Sequence, residues 1–203
     1  MKDIENYESV LTFWFGEIKN GMANEDKKQL WYESSTETDK FIIAKFTELH
    51  KLAANGQLSS WQERSRSSLA LIVVLDQFSR NMFRATKQAF AYDEQALMVC
   101  LNGIEAGLDK NLALIEKHFY YHPLMHAESI EHQERCVSLF RNMLNECNDD
   151  NRQMVENALG FAEQHRDIIA QFGRFPYRNA VLDRQLTELE MQYLNEGGNR
   201  FGQ

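Results

Sequence analysis

Apolar residues recur every three or four positions along most of this chain, which is the spacing that places them on one face of an α-helix. Apolar and polar residues do not alternate over any long stretch, so the pattern of half-buried strands is missing. Only two of the 203 residues are proline, and long helices can therefore continue without interruption. The sequence predicts an all-α fold in which about seven or eight helices form one domain over residues 1–203.

Residues that cap helices mark the ends of the predicted elements. Asp3 is a candidate N-cap of the first helix, and Thr187 forms a capping-box pattern with Glu190 before the last. Pro123 is typical of a first helical turn, so we expect one continuous helix from there to Glu146. With Trp31 and Tyr32 in a loop, the predicted helices cover about residues 3–19, 36–55, 65–83, 87–106, 111–120, 123–146, 150–172 and 188–196.

Composition narrows the classes of partner and compartment. The net charge of -8 disfavours binding to a nucleic-acid duplex. The longest apolar run, Leu69–Leu75, is far shorter than the ~20 residues that span a bilayer, so no membrane partner is expected. The three cysteines are an odd number without paired spacing, which favours free thiols and a cytoplasmic protein that begins without a signal sequence.

Short motifs for common chemistries are missing from the sequence. It contains no glycine-rich phosphate loop, no H-E-x-x-H, no C-x-x-C and no G-x-S-x-G, so we predict no cofactor. His118, His122 and His126 are spaced by four, as metal ligands on one helix would be. Because Pro123 interrupts the helix between them, the spacing loses this meaning and no metal site is predicted.

Charged residues interrupt the apolar face of the predicted third helix. Asp76 lies on the same face as Leu69 and Ile72, and Arg80 follows it at ion-pair spacing. The pair is either an internal strut or part of a site in which Arg80 and Arg84 bind a carboxylate or phosphate. Further polar residues share an adjoining side of this helix: Gln77, Asn81 and Arg84.

Two histidines interrupt other apolar faces. His165 shares a face with Met154, Ala158, Phe161, Ile168 and Phe172, and His126 shares one with Ile130, Gln133, Val137, Phe140 and Leu144. Each is either a hydrogen-bonded core residue or, if it lines a pocket, a candidate general acid or base. His165 precedes an irregular segment whose Arg174, Arg178 and Asn179 are candidates to join Arg80 and Arg84 around an anion.

Several segments considered together resemble one known family. They are Val10–Gly16 (VLTFWFG), Leu75–Arg84 (LDQFSRNMFR), Pro123–Glu128 (PLMHAE), Phe172–Asn179 (FGRFPYRN) and Thr187–Glu190. Over nearly its whole length the chain resembles the bacterial domain-of-unknown-function family 924. The resemblance implies an all-helical, tetratricopeptide-like fold and no particular activity. Two positions depart from the pattern: Tyr177 stands where we expect a histidine, and Asp183 where we expect a glycine.

Three hypotheses for function remain. The first is a scaffold that binds a peptide or a small anionic ligand, with a homodimer permitted by the aromatic content. The second is an enzyme in which His165 or His126 acts as general acid or base beside arginine clamps. The third is a purely structural polar network. The candidate ligand-binding residues are Asp76, Gln77, Arg80, Asn81, Arg84, Arg174, Arg178 and Asn179.

Overall fold

The computed structural model describes residues 6–24, 27–33 and 35–201, and helices make up most of this part of the chain. The predicted all-α class is therefore confirmed. The predicted first helix ends at Phe15 instead of Lys19, and a two-residue strand follows at Ile18–Lys19. Part of the predicted loop 20–35 contains the antiparallel partner of that strand and a short helix. The elements are α1 (Tyr7–Phe15), β1 (Ile18–Lys19), β2 (Met22–Ala23), α2 (Lys28–Tyr32), α3 (Thr36–Ala54), α4 (Ser65–Ile72), α5 (Ser79–Met82), α6 (Asp93–Glu105), α7 (Leu114–Tyr120), α8 (His122–His126), α9 (Ile130–Glu146), α10 (Asp149–Phe172) and α11 (Glu188–Asn195).

Side chains cap several helices where the sequence indicates it. Thr187 Oγ1 accepts from the Glu190 N–H and the Glu190 carboxylate accepts from the Thr187 N–H, so the predicted capping box is confirmed. Asn148 caps α10, and Gly173 ends it with a φ of +70°, which glycine adopts easily. Asn6 caps α1, and the predicted cap Asp3 lies outside the described residues.

The predicted third helix is the centre of the fold. It comprises α4, a π-helical segment over Val73–Phe78 and α5, and residues 67–81 are all buried. A π turn accommodates an extra residue in the helix and so changes the direction of the side chains that follow it. Asp76 lies within this segment.

The predicted continuous helix from Pro123 to Glu146 is wrong, because α8 ends at His126 and α9 begins at Ile130. The buried Gln133 side chain donates to the carbonyls of Met125 (2.6 Å) and Ala127 (2.9 Å). These bonds satisfy carbonyls at the end of α8 and therefore stabilise the break. The change of direction leaves Ile130 45% exposed, so its predicted core position is also wrong. Phe161, another predicted core residue, is 51% exposed.

Aromatic rings fill the centre of the core. Trp14 meets Phe78 and Phe119 edge to face, with ring centroids 5.8 Å and 5.5 Å away. Trp31, which the sequence places in a loop, lies in α2; it packs against Phe119 and its Nε1 donates to the Trp14 carbonyl at 2.9 Å, so it anchors α2 to the core. A smaller cluster of Ile168, Ile169 and Phe175 joins the end of α10 to the segment after it.

Two further expectations from composition can be compared with the structure. All three cysteines are free thiols. Within residues 6–24, 27–33 and 35–201, no helix has the length and apolar character needed to cross a membrane.

We predict that Gly103→Ala will destabilise the protein. A Cβ atom on Gly103 would lie 1.7 Å from Oη of the fully buried Tyr120, which bonds to Ser68 Oγ at 3.1 Å. Overpacking of this kind costs about 1–3 kcal/mol, measurable by urea unfolding. Gly160→Ala in α10 is the matched control: nothing lies within 4 Å of its Cβ, and stability should rise by about 0.5–1 kcal/mol. Equal stability of the two variants would contradict the predicted steric clash.

Candidate functional site

An open cleft of about 1230 Å³ lies between the start of α6, the turn after α8 and the Pro176–Arg178 turn. It combines apolar side chains with charged ones, and it contains three residues singled out in the sequence: Arg84, His126 and Arg178. The other principal lining residues are Met82, Phe83, Lys87, Phe90, Asp93, Glu94, Leu97, Glu128, His132 and Leu182.

His126 and Asp76 form a hydrogen-bonded pair beside this cleft. His126 Nδ1 lies 2.7 Å from Asp76 Oδ1, and the carboxylate is fully buried while 14% of the imidazole side chain is exposed. An ionised carboxylate can only accept, so Nδ1 carries the proton and Nε2 is the unprotonated nitrogen. No described residue bonds to Nε2. Burial, and then the positive charges of Arg80 and Arg178, hold the pKa of His126 well below 6.5.

Two arginines and two carboxylates surround that pair. Arg80 Nη1 lies 3.0 Å from Asp76 Oδ1, and its Nη1 and Nη2 donate to Asp93 at 3.0 Å and 3.1 Å. Arg178 Nη1 donates to the His126 carbonyl at 3.1 Å and lies 3.6 Å from Asp93 Oδ2. The guanidinium of Arg178 also packs on the ring of Phe175, 4.4 Å from its centroid. The two positive charges thus face two negative ones.

The remaining predicted ligand residues do not all meet these groups. Arg84 and Asn81 bond to Asp39, with Arg84 Nε 2.8 Å from Oδ2 and Asn81 Nδ2 2.9 Å from Oδ1. Arg174 forms a bidentate pair with Glu190 at 2.6 Å and 2.8 Å. Gln77 donates to Asp76, and Asn179 is fully buried. Of the four candidate arginines, Arg80 and Arg178 share a carboxylate partner, and Arg84 and Arg174 each pair elsewhere.

His165 is a buried core residue with a satisfied ring nitrogen. Nδ1 lies 2.7 Å from the Phe161 carbonyl, and the ring stacks on Phe201 with centroids 3.6 Å apart. Burial outweighs the bond to Phe161 and lowers the pKa of His165 to about 4. The ring centroid lies 6.4 Å from that of His126, so the two candidate histidines are neighbours. His165 is absent from the cleft lining.

His118, His122 and His126 pack against one another, although the helix is interrupted between them. Although α7 ends and α8 begins between them, successive ring centroids lie 4.6 Å and 5.4 Å apart. In the part of the chain that the structure describes, however, no group of three or more potential ligands is arranged to hold a metal ion. The three histidines therefore form a row of packed rings, of which His126 lines the cleft.

The comparisons with known proteins agree with one another. Residues 10–198 match the family described as bacterial protein of unknown function (DUF924). The chain belongs to this family. A solved structure, the protein of unknown function ATU0120 from Agrobacterium tumefaciens, is 36% identical, with a TM-score of 0.79 over 94% of this chain and 97% of that one. Among curated proteins, none matches the chain.

Two site residues of this DUF924 protein were missed by the sequence analysis. Asp93 lies within ion-pair distance of both guanidinium groups. In the sequence it is one acidic residue inside the helix predicted over 87–106, whereas in the structure α6 begins at Asp93. Glu128 accepts from Arg184 at 2.6 Å and from the Phe175 N–H at 2.9 Å, which ties the turn after α8 to the following loop. No signal in the sequence indicates this role, because the sequence predicts a continuous helix through Glu128. Burial raises the pKa of Glu128, but these bonds outweigh burial and lower it.

Both departures from the family pattern lie near the cleft. Tyr177 packs against Phe175 at 5.5 Å between ring centroids, so an aromatic side chain occupies the position where a histidine was expected. Asp183 has a φ of +55°, a left-handed conformation in which glycine is favoured and aspartate is tolerated. The DUF924 chain thus keeps the tight turn with a different residue.

We predict that Asp76→Ala will lower the free energy of unfolding by about 3 kcal/mol, because it leaves buried partners of the carboxylate unpaired. Urea unfolding followed by circular dichroism measures the change. Asp167→Ala is the control: that side chain is 67% exposed and pairs with Arg166, so the loss should stay below about 1 kcal/mol. An unchanged midpoint for Asp76→Ala would refute the structural importance of its buried contacts.

We also predict that stability falls as the pH is lowered from 6.5 to 4, partly through His165. Its pKa is about 4 in the folded protein and near the ordinary 6.5 in the unfolded chain, so the unfolded chain takes up the proton first. The stabilisation is complete above pH 6.5 and is lost as the pH falls toward 4. When urea unfolding is measured at several pH values, the free energy of unfolding should depend less steeply on pH for His165→Gln than for the wild type. Parallel curves would contradict the assignment.

Proposed function

We propose that this DUF924 protein is a binding protein whose cleft receives an extended peptide. The observation that carries the proposal is the cleft itself, whose volume of about 1230 Å³ exceeds the ~300–1,000 Å³ typical of small-molecule pockets. Its open form suits a chain that passes through it better than a molecule that must be enclosed.

The lining supports a peptide ligand because it mixes two kinds of surface. Met82, Phe83, Phe90 and Leu97 offer apolar contacts of the kind that receive side chains. Charged and polar groups lie among them and can bond to peptide N–H and C=O groups. A tetratricopeptide-like array, which the family resemblance implies, would fit this function, since helical arrays bind peptides on concave surfaces.

A small anionic ligand is supported less well. Each of the four candidate arginines already faces a carboxylate: Arg80 and Arg178 face Asp93, Arg84 faces Asp39 and Arg174 faces Glu190. An anion would have to compete with these partners, and the net charge of -8 opposes its approach.

The test is a screen of a synthetic hexapeptide library by affinity selection, followed by thermal-shift measurement of the peptides retained. A peptide at 100 times its Kd should raise the stability by about 2.7 kcal/mol. We predict that Ala91→Trp, which places a bulky ring on an exposed position of the lining, will weaken binding at least tenfold. Ala106→Trp, at the opposite end of α6, is the matched control and should bind normally. Retention of no peptide, or equal binding by both variants, would refute the proposal.

A further inference from the structure

We propose that His126 is a general base in this cleft, that Asp76 is its positioning residue, and that the cleft hydrolyses an uncharged acyl compound. The inference deepens the proposed function, because it rests on a ligand entering the same cleft. It is distinct from peptide binding, since it assigns a chemical step to a particular nitrogen atom.

The geometry fixes both the orientation and the tautomer of the imidazole. Asp76 Oδ1 holds Nδ1 at 2.7 Å, and the carboxylate is itself held by Arg80 and Gln77. The proton on Nδ1 leaves the lone pair of Nε2 without a described partner, on a ring that lines the cleft. A carboxylate that orients an imidazole in this way is the arrangement that general-base catalysis requires.

A purely structural role explains His126 less well than it explains His50 and His165. His50 bonds to Ser79 Oγ at 2.8 Å and is 3% exposed, and His165 bonds to a backbone carbonyl and is 5% exposed. Neither contributes to the lining of the cleft. His126 differs because it combines a buried carboxylate partner with an accessible ring.

The charges that face His126 leave it neutral near pH 7. They come from every element around it, and the two guanidinium groups balance the two carboxylates, so burial decides the protonation state. A site with this balance has no unpaired guanidinium in its floor for an anionic substrate, which favours an uncharged one. The groups are Asp76 in the π-helical segment, Arg80 in α5, Asp93 in α6, His122 in α8, His165 in α10 and Arg178 in the Pro176–Arg178 turn.

The chemical step balances without a cofactor. Nε2 of His126 takes a proton from a water molecule as the water oxygen bonds to the acyl carbon. The bond from that carbon to the leaving oxygen then breaks, and the imidazolium returns its proton to the leaving group or to solvent. The products are a carboxylic acid and an alcohol, and no oxidant or reductant is involved.

The first experiment uses the wild-type protein and diethyl pyrocarbonate, which acylates unprotonated imidazole, with the modified residues located by peptide mass spectrometry. We expect His126 to react and to keep most of its rate at pH 5.5, whereas N-acetylhistidine in the same solution, with an ordinary pKa near 6.5, loses most of its rate. His50 and His165 should stay unmodified. Protection of His126 while His132 reacts would overturn the proposal. The experiment uses only the wild-type protein, so its result does not depend on whether a variant folds.

The second experiment measures hydrolysis of p-nitrophenyl acetate. His126→Gln should lower the rate by about 10²-fold, the scale of general-base contributions. His50→Gln, a buried histidine outside the cleft, should keep the wild-type rate. Asp76→Asn should lower the rate and move the midpoint of its pH profile downward, because the imidazolium loses its negative partner. A rate that is equal in wild type, His126→Gln and His50→Gln would overturn the proposal.

The two proposals can fail separately. If peptides bind but His126 is protected and inactive, the general-base assignment is wrong and the binding function stands. If no peptide binds but hydrolysis depends on His126, the peptide-binding function is wrong and the catalytic assignment stands.

Discussion

The arrangement of this fold depends on one buried carboxylate. Asp76 is fully buried in the central helix, and an unpaired charge there would cost several kcal/mol. Its oxygens therefore have to find partners, and they find them on three sides: Gln77 next in sequence, Arg80 one turn later and His126 from α8. Because these partners belong to different elements, satisfying one charge fixes how α8 lies against the central helix.

Two local irregularities make that arrangement reachable. The π-helical segment Val73–Phe78 redirects the side chains of the central helix, and Asp76 lies inside it. The break after α8 exposes the His126 carbonyl, which accepts from Arg178, and it frees Glu128 to hold Arg184. A regular helix at either place would bond its own carbonyls and leave these contacts unmade.

The sequence could predict elements whose causes are local. Helix α10, predicted over 150–172 and observed over Asp149–Phe172, and the predicted capping box at Thr187 follow from neighbouring residues. The break before Ile130 could not be predicted in this way, because it depends on Gln133 reaching back to carbonyls six and eight residues earlier. The site was predicted in part for the same reason. Asp76, Arg80 and His126 stand out as polar residues on apolar faces, whereas Asp93 is an ordinary acidic residue of a predicted helix until the fold brings Arg80 and Arg178 to it.

The charge balance of the cleft floor bears on the alternatives that the sequence left open. An ion-pair network kept only for stability is a poor use of buried positions, because apolar residues of similar volume often stabilise a core as well or better. Two guanidinium groups kept for an anion would stand free of carboxylates, yet both face Asp93. What this network does accomplish is to hold one imidazole rigidly, neutral and partly open to a cleft, at the point where α8 stops. The general-base role proposed for His126 would use this arrangement, which apolar residues at the same positions would not provide.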